Sequence, residues 1–216
     1  MNTRQRLGIA AGLVALTALT SALAAPALPE RLVTHWDAAG RPNGTMSKSL
    51  ALAFVPALSA FLAALLAVVP RVDPRRERYA SFRPYYDWLI VLLAAFMLAL
   101  HVGTLLFNLG YRFAFVSLVV VCVAALFYYV GVVLSHAEPN WFVGVRTPWT
   151  LDSDDVWART HALAARLFKA SAVLALVGLL FGEYALYFVL VPALGTAVVS
   201  VAYSYWLYER LARDGA

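Results

Sequence analysis

The polar residues of this chain that could do chemistry lie in three groups, and the first is the run His35-Trp36-Asp37. It places an imidazole, an indole N–H donor and a carboxylate next to one another. A zinc site would need more ligands than this run supplies, so two interpretations stay open. The run either packs Trp36 at an interface and caps a helix bundle, or it belongs to a surface that contacts a ligand. The candidate ligand contacts are His35, Trp36, Asp37, Gly40 and Asn43.

The second group is the long polar stretch NWFVGVRTPWTLDSDDVWARTH, residues 140–161. Pro139 and Pro148 restrict the backbone, so we expect the first half of the stretch to fold back against the end of a helix bundle. Gly144 permits the close approach that this requires. Arg146 is carried with it and needs a carboxylate or a carbonyl as a partner. The nearest carboxylates are those of Asp152, Asp154 and Asp155.

The second half of the same stretch is expected to be helical. Asp152 or Ser153 can cap a helix, and acidic residues in the first turn suit the positive end of the helix dipole. Trp157 and His161 are spaced i, i+4 and therefore share a face. The whole stretch is either a structural clasp between two helices or a docking surface for a partner. Its candidate residues are Asn140, Trp141, Gly144, Arg146, Thr147, Pro148, Trp149, Asp155, Trp157, Thr160 and His161.

The third group, His101, Thr104 and Asn108, lies in an apolar run at spacings that place all three on one helical face. Such a face normally turns inward and forms hydrogen bonds between helices; a proton or solute path is the alternative. No Asp, Glu, Arg or Lys lies deep in an apolar run, which argues against an ion-coupled pump. The motifs HExxH and GxSxG are absent, so the sequence predicts no enzyme, no cofactor and no metal site.

Membrane-spanning helices must position these three groups. The chain is 62% hydrophobic and 13% charged, whereas a soluble domain is about 45–50% apolar and roughly 25% charged. The apolar residues form blocks of about 20, the length that a helix needs to cross a bilayer. Because the backbone must satisfy its own hydrogen bonds in lipid, the sequence predicts an all-α polytopic membrane protein. The six predicted spans are about 7–27, 50–70, 88–108, 113–135, 162–182 and 184–208.

The first span has an alternative interpretation. Arg4 and Arg6 precede it and Ala22-Leu23-Ala24 closes it, which is also the pattern of a cleavable signal peptide. Its apolar run is longer than the about 7–15 residues of a typical signal-peptide core. The length therefore favours a retained membrane anchor.

The basic residues predict the orientation of the spans. The net charge is +5, and most of the 17 Lys and Arg flank the spans on the side where both termini lie. By the positive-inside rule this side is cytoplasmic, and the placement indicates membrane orientation and not nucleic-acid binding. Residues 28–49 are then a structured external loop, and 71–87 and 136–161 are cytoplasmic loops. The Arg-rich segment 71–87 either lies on anionic headgroups or binds a partner.

Two motifs resemble the SdpI family of membrane proteins. Residues 140–161 follow the pattern N-x-x-x-G-[IV]-R-T-P-W-T-L-x-S-x-x-x-W-x-x-T-H. Residues 28–44 follow L-P-x-x-x-x-x-H-W-x-x-x-G-x-x-x-G, typical of a short domain of unknown function that is often fused to such proteins. The resemblance covers nearly the whole chain. It implies a two-helix unit over 1–70 that carries the external loop, and a four-helix membrane domain over 71–216 that carries the cytoplasmic element 136–161.

The resemblance also implies a function, that of a non-enzymatic immunity protein of the cell membrane. The founding bacterial member of the family gives immunity to a secreted killing peptide, and in the best-known system it also senses the peptide and holds a transcriptional repressor at the membrane. The implied partners are the lipid bilayer, a secreted peptide toxin on the outer face and a cytoplasmic repressor protein, without direct contact to nucleic acid.

One alternative is a small transporter built from two inverted halves of three helices each. Thr34-His35-Trp36 and Thr147-Pro148-Trp149 share the pattern T-x-W before the second and fifth spans. Inverted repeats would place such matching segments at corresponding points of the two halves. The packing of the helices within each half tests this interpretation.

Overall fold

The computed structural model describes residues 1–214, and this part of the chain contains six long helices. All six are long and apolar enough to cross a membrane, which confirms the predicted helical protein with six spans. A short helix, α5, precedes the fifth of them. The helices are α1 (Thr3–Ala24), α2 (Lys48–Val72), α3 (Tyr79–Asn108), α4 (Phe115–Leu134), α5 (Pro148–Asp152), α6 (Asp154–Gly178) and α7 (Tyr187–Asp214).

Helix α6 begins well before its predicted span at 162, because its first turns are polar and fall outside the apolar block. The Ser153 side chain accepts a hydrogen bond from the Val156 N–H and so caps the helix. Asp154 and Asp155 follow in the first turn, where negative charge suits the helix dipole. The predicted helix start at Asp152 or Ser153 is therefore confirmed.

The Arg-rich segment 71–87 is mostly helical and not an extended loop. Helix α2 ends at Val72, a 3-10 turn spans Arg76–Arg78, and α3 begins at Tyr79, ahead of its predicted span at 88. The turn between α2 and α3 is tight because Asp73 organises it: its carboxylate accepts a hydrogen bond of 2.7 Å from the Arg75 N–H.

Helix α3 is central to the bundle, since it packs against α1, α2 and α4. The remaining helices pack as a second layer, with α6 between α4 and α7. Because α1 packs on α3, the contacts cross the predicted division at residue 70. Large apolar side chains such as Phe61, Leu174 and Val191 are exposed on the outer faces, as expected where lipid is the solvent.

The predicted loop between α1 and α2 is a β-hairpin. Strands β1 (Arg31–Trp36) and β2 (Pro42–Ser47) pair antiparallel, with an irregular register around His35. Leu32 is fully buried and packs with residues of α2 and α3. A compact loop was predicted from its Gly, Pro and Asn residues, but the strand pairing was not, because β2 carries these turn formers inside the strand itself.

The hairpin and the termini lie at opposite ends of the bundle. We call the end that carries β1 and β2 the hairpin end, and the end that carries both termini and residues 135–153 the terminal end. Contacts between α1 and the start of α3, and between α7 and α5, define the terminal end. The assignment of the terminal end to the cytoplasm stays a prediction from the distribution of Lys and Arg.

Candidate functional site

At the hairpin end, Asn108 joins the hairpin to the last turn of α3. Its Oδ1 accepts a hydrogen bond of 2.8 Å from the Val33 N–H, and its Nδ2 donates one of 2.9 Å to the Val33 carbonyl. Thr104 makes no such link, because its hydroxyl donates to the Leu100 carbonyl of its own helix. On the polar face that the sequence predicts for α3, Asn108 thus binds strand β1, whereas the Thr104 hydroxyl forms its hydrogen bond within the helix.

Replacing Asn108 with Ala is expected to loosen the hairpin without removing it. Both backbone groups of Val33 lose their partner, and an unsatisfied, partly buried backbone group costs about 1–3 kcal/mol. We expect faster hydrogen exchange at the Val33 amide in detergent-solubilised protein. Thr104→Val is the matched control and should leave that amide protected. Equal exchange in the two variants would show that Asn108 does not hold the hairpin.

The run His35-Trp36-Asp37 lies at the end of β1. His35 is exposed, whereas Trp36 packs against the helices. The His35 imidazole and the Asn43 side chain share a cross-strand hydrogen bond on the exposed face. Asp37 begins the turn, which Gly40 completes at a φ of +78°. The Arg41 N–H and guanidinium both donate to the Asp37 carboxylate, and these contacts, the N–H first, hold the pKa of Asp37 below its usual range.

Trp36 points towards the bundle and not along the surface. Its ring stacks on Phe115 of α4 with centroids 3.7 Å apart, and it meets Phe107 of α3 edge-on at 5.2 Å. His101 lies below it in α3, where its Nε2 contacts the Ser21 Oγ of α1 at 2.7 Å. Trp36 and His101 line one cavity of about 370 Å³, together with His35, Asp37 and Thr104. The structure therefore unites two groups of residues that the sequence analysis treats separately.

At the terminal end, Asn140 shapes the loop that follows α4. The side chain is fully buried, and its Oδ1 accepts hydrogen bonds from the N–H groups of Phe142 and Val143. Its Nδ2 donates to the carbonyls of Glu138 and Val143. One amide side chain thereby satisfies four backbone groups, which fixes the predicted fold-back of this segment against the bundle.

Asp73 connects this loop to the turn between α2 and α3. The residue is buried, and its carboxylate accepts hydrogen bonds from the Trp141 N–H at 2.9 Å and from the Tyr79 hydroxyl at 3.2 Å. Tyr79 also lies 3.2 Å from Asn140 Oδ1. Asp73 is absent from the predicted site residues, because nothing local marks one carboxylate in an Arg-rich segment as the anchor of a distant loop.

Gly144 and His161 meet where the loop crosses α6. The His161 Nδ1 lies 2.8 Å from the Trp157 carbonyl, which can only accept, so Nδ1 carries a proton. The His161 Nε2 lies 3.1 Å from the Val145 N–H and accepts from it. Both ring nitrogens are thus satisfied in the neutral ring, and His161 is buried. Gly144 has a φ of +118°, and a Cβ there would overlap the His161 Nε2.

The remaining predicted residues of the stretch build the start of α5 and α6. Thr147 and Thr150 form a capping box around Pro148, which occupies the first turn of α5. The indole N–H of Trp149 donates to Ser204 of α7. Trp157 is almost fully buried, stacks on His161 and donates to the Ala137 carbonyl at 2.7 Å. Thr160 is fully buried beside them. The predicted shared face of Trp157 and His161 is confirmed as a ring stack.

Of the two kinds of partner expected for Arg146, a carboxylate or a carbonyl, the structure has the carbonyl, and within residues 1–214 Arg146 forms no ion pair with Asp152, Asp154 or Asp155. The Arg146 guanidinium donates to the Trp141 carbonyl at 2.8 Å and remains exposed. Arg78, from the turn before α3, binds Asp154 at 2.8 Å, and Asp152 accepts from the Tyr208 hydroxyl at 2.8 Å. Residues distant in sequence therefore bind Asp154 and Asp152, while Arg146 finds its partner within its own loop.

A cleft of about 810 Å³ opens at the terminal end beside the start of α6. Its walls carry charges of both signs. The acidic residues are Glu138, Asp154 and Asp155, and the basic residues include Arg166 and Lys169. Asp155 is exposed and is part of this wall. A large cleft whose walls carry charges of both signs suits a protein or peptide surface better than a lipid tail.

These features define a multi-pass protein of the cell membrane with an ordered hairpin at one end and an ordered loop element at the other. The family model described as "SdpI/YfhL protein family" matches residues 136–204, and one described as "Domain of unknown function (DUF1648)" matches residues 12–60. The chain is 26% identical over 200 residues to the Immunity protein SdpI of Bacillus subtilis (strain 168). The aligned region covers 92% of this chain and 94% of that protein.

No solved structure matches this chain. The family match begins at residue 136 and so includes the whole element 140–161 that carries the sequence resemblance. The predicted resemblance to the SdpI family is therefore confirmed.

Proposed function

We propose that this protein gives the cell that carries it immunity to a secreted killing peptide, without acting as an enzyme. The observation that carries the proposal is the similarity to an immunity protein over 92% of this chain and 94% of that protein. A match of this extent includes both the hairpin and the 140–161 element, the two ordered parts outside the apolar helices.

In this proposal each end of the bundle binds a different partner. The hairpin end lies outside and meets the peptide at the outer leaflet, while the 140–161 element at the terminal end, with the cleft beside it, docks a cytoplasmic repressor protein. Helix α3 supports a link between them, because Asn108 near its last turn holds the hairpin and Tyr79 at its first residue holds the Asp73 and Asn140 network. A packed helix with fixed contacts at both ends is a physical route for coupling.

Arg146→Ala tests the role of the terminal end. The side chain is exposed and donates one hydrogen bond, so its loss should change stability by only about 0.5 kcal/mol. We expect the variant to insert at the normal level and to lose protection or repressor recruitment in cells challenged with the killing peptide. Trp157 is less suitable for this purpose, because it is almost fully buried and its removal would test the fold.

Arg210→Ala is the control for this experiment. Arg210 is another exposed arginine of the terminal end; it pairs with the exposed Asp214 and lies over the Trp206 ring, both on its own helix. Protection and recruitment that are the same in both variants and in the unaltered protein would remove Arg146 from the proposed docking surface. Failure of the unaltered protein to protect cells would contradict the immunity function itself.

The packing of the two halves does not favour the transporter alternative. In the first half α1 packs mainly on α3, the third helix of that half. In the second half the corresponding α4 packs mainly on α6 and hardly meets α7. Inverted repeats would share one packing pattern.

A further inference from the structure

The cavity under the hairpin contains two polar atoms that the protein leaves unpaired. The cavity measures about 370 Å³, and Phe54 of α2, Val119 of α4 and Leu186 in the turn before α7 form part of its apolar wall. The two atoms are the Trp36 Nε1 and the His101 Nδ1, each buried and without a hydrogen-bond partner within residues 1–214. A buried polar group without a partner is rare in proteins and calls for a physical explanation.

The Trp36 Nε1 is an unpaired donor, since an indole nitrogen carries a hydrogen and has no acceptor capacity. The ring is held on both sides by its stack with Phe115 and its edge contact with Phe107. The indole therefore cannot easily turn its N–H to water. Trp36 offers one fixed donor at the cavity.

The His101 Nδ1 is an unpaired acceptor, which follows from the hydrogen bonds of Ser21. The Ser21 hydroxyl lies 2.8 Å from the Leu52 carbonyl, which can only accept, so the single hydroxyl proton points there. The contact of 2.7 Å between the Ser21 Oγ and the His101 Nε2 must then be donated by the ring. With the proton on Nε2, the Nδ1 of the neutral ring carries a lone pair.

One donor and one acceptor in an apolar cavity match the two halves of a backbone amide. A peptide group offers a carbonyl to the indole N–H and an N–H to the imidazole nitrogen. The ester groups of a lipid offer acceptors only and would leave His101 unpaired. Apolar walls with a few convergent polar groups are also typical of sites that select their ligand by orientation.

We propose that this cavity receives an apolar peptide segment, whose backbone carbonyl accepts from the Trp36 Nε1–H and whose backbone N–H donates to the His101 Nδ1. The inference rests on the proposed function in taking a secreted peptide as the natural ligand. Both atoms are buried in the free protein, so binding requires side chains that line the cavity to move aside.

Two conservative substitutions remove one polar atom each. Trp36→Phe keeps an aromatic ring against Phe115 and removes the donor. His101→Gln keeps an N–H that reaches Ser21, as Nε2 does; its own acceptor, Oε1, then lies on the Cδ2 side of the original ring, so that no acceptor remains at the position of Nδ1. The matched controls are Trp206→Phe on α7 and Tyr128→Phe on α4, which alter exposed aromatic side chains outside this cavity.

The binding experiment uses a short capped peptide of alternating Leu and Ala, and its analogue with esters in place of the amides, against the protein in lipid nanodiscs. We expect the amide peptide to bind roughly three- to tenfold more weakly to each of the two cavity variants, as for the loss of one hydrogen bond. The ester analogue lacks N–H donors and should respond to Trp36→Phe but not to His101→Gln. The control variants should bind like the unaltered protein.

Two results would overturn the inference: no binding of the amide peptide to the unaltered protein, or equal binding to the unaltered protein and both cavity variants. In the second case the Trp36 Nε1 and the His101 Nδ1 form no hydrogen bonds with the peptide. Survival of cells challenged with the killing peptide separates this inference from the proposed function. If the unaltered chain protects and both cavity variants protect equally, immunity stands and the cavity is not its peptide site.

Discussion

Gly144→Ala is expected to lower the stability of the terminal end by a large amount, because the substitution both strains the backbone and meets a neighbouring side chain. The backbone at Gly144 has a φ of +118°, a conformation that costs a residue with a Cβ about 1–3 kcal/mol. The added Cβ would also overlap the His161 Nε2 and displace the hydrogen bond from the Val145 N–H, a further loss of about 1 kcal/mol. The His161 ring cannot move away from the added Cβ, because it stacks on the buried Trp157 ring.

The measurement is the apparent melting temperature of the detergent-solubilised protein, together with protection of cells against the killing peptide. We expect a fall of about 10 °C, since each kcal/mol corresponds to about 2–4 °C in a chain of this size, and loss of protection. Gly195→Ala is the matched control: that glycine lies inside α7 with open space around it. Equal melting of the two variants would refute the role of Gly144.

Asp87→Ala is expected to have the second large effect, by leaving buried positive charge without a partner. The Asp87 side chain has no exposed surface, and its carboxylate binds Arg83 at 2.7 Å and Arg6 of α1 at 3.7 Å. The Arg6 side chain is only 11% exposed. Removing one partner of a buried ion pair costs about 3–5 kcal/mol, because the remaining charge is neither paired nor hydrated.

The loss should appear as a lower melting temperature and as earlier proteolytic release of α1, since the pair joins α1 to α3. Asp214→Ala removes a carboxylate whose pair with Arg210 is exposed on both sides, and it should cost less than about 1 kcal/mol. Adding Arg6→Met to Asp87→Leu should recover part of the stability, because the less exposed of the two arginines is then also gone; the Arg83 side chain, 23% exposed, keeps some contact with water. If the double variant melts below Asp87→Leu alone, unpaired charge is not the cause.

The sequence by itself determined the six helices and several of their local details. Lipid offers the backbone no hydrogen bonds, so each long apolar block had only the helix available. Local rules also narrowed the helix cap to Asp152 or Ser153, of which the structure has Ser153, and placed Trp157 and His161 on a shared face, because both features depend on residues within one or two turns. The resemblance of 140–161 to a known family needed only the order of its residues.

Only the tertiary structure decided which polar groups meet. Arg146 has three carboxylates close by in sequence, yet it binds the Trp141 carbonyl, which the fold-back of the loop brings to its guanidinium. The anchoring role of Asp73 depends on how the loop after α4 lies against the turn before α3.

The cavity under the hairpin shows the same limit most clearly. Its donor comes from Trp36 in a strand and its acceptor from His101 in a helix far along the chain. The spacing of residues along a chain fixes the face on which each side chain lies. It does not fix the surface that packs against that face, because that choice depends on how all the helices share the available contacts.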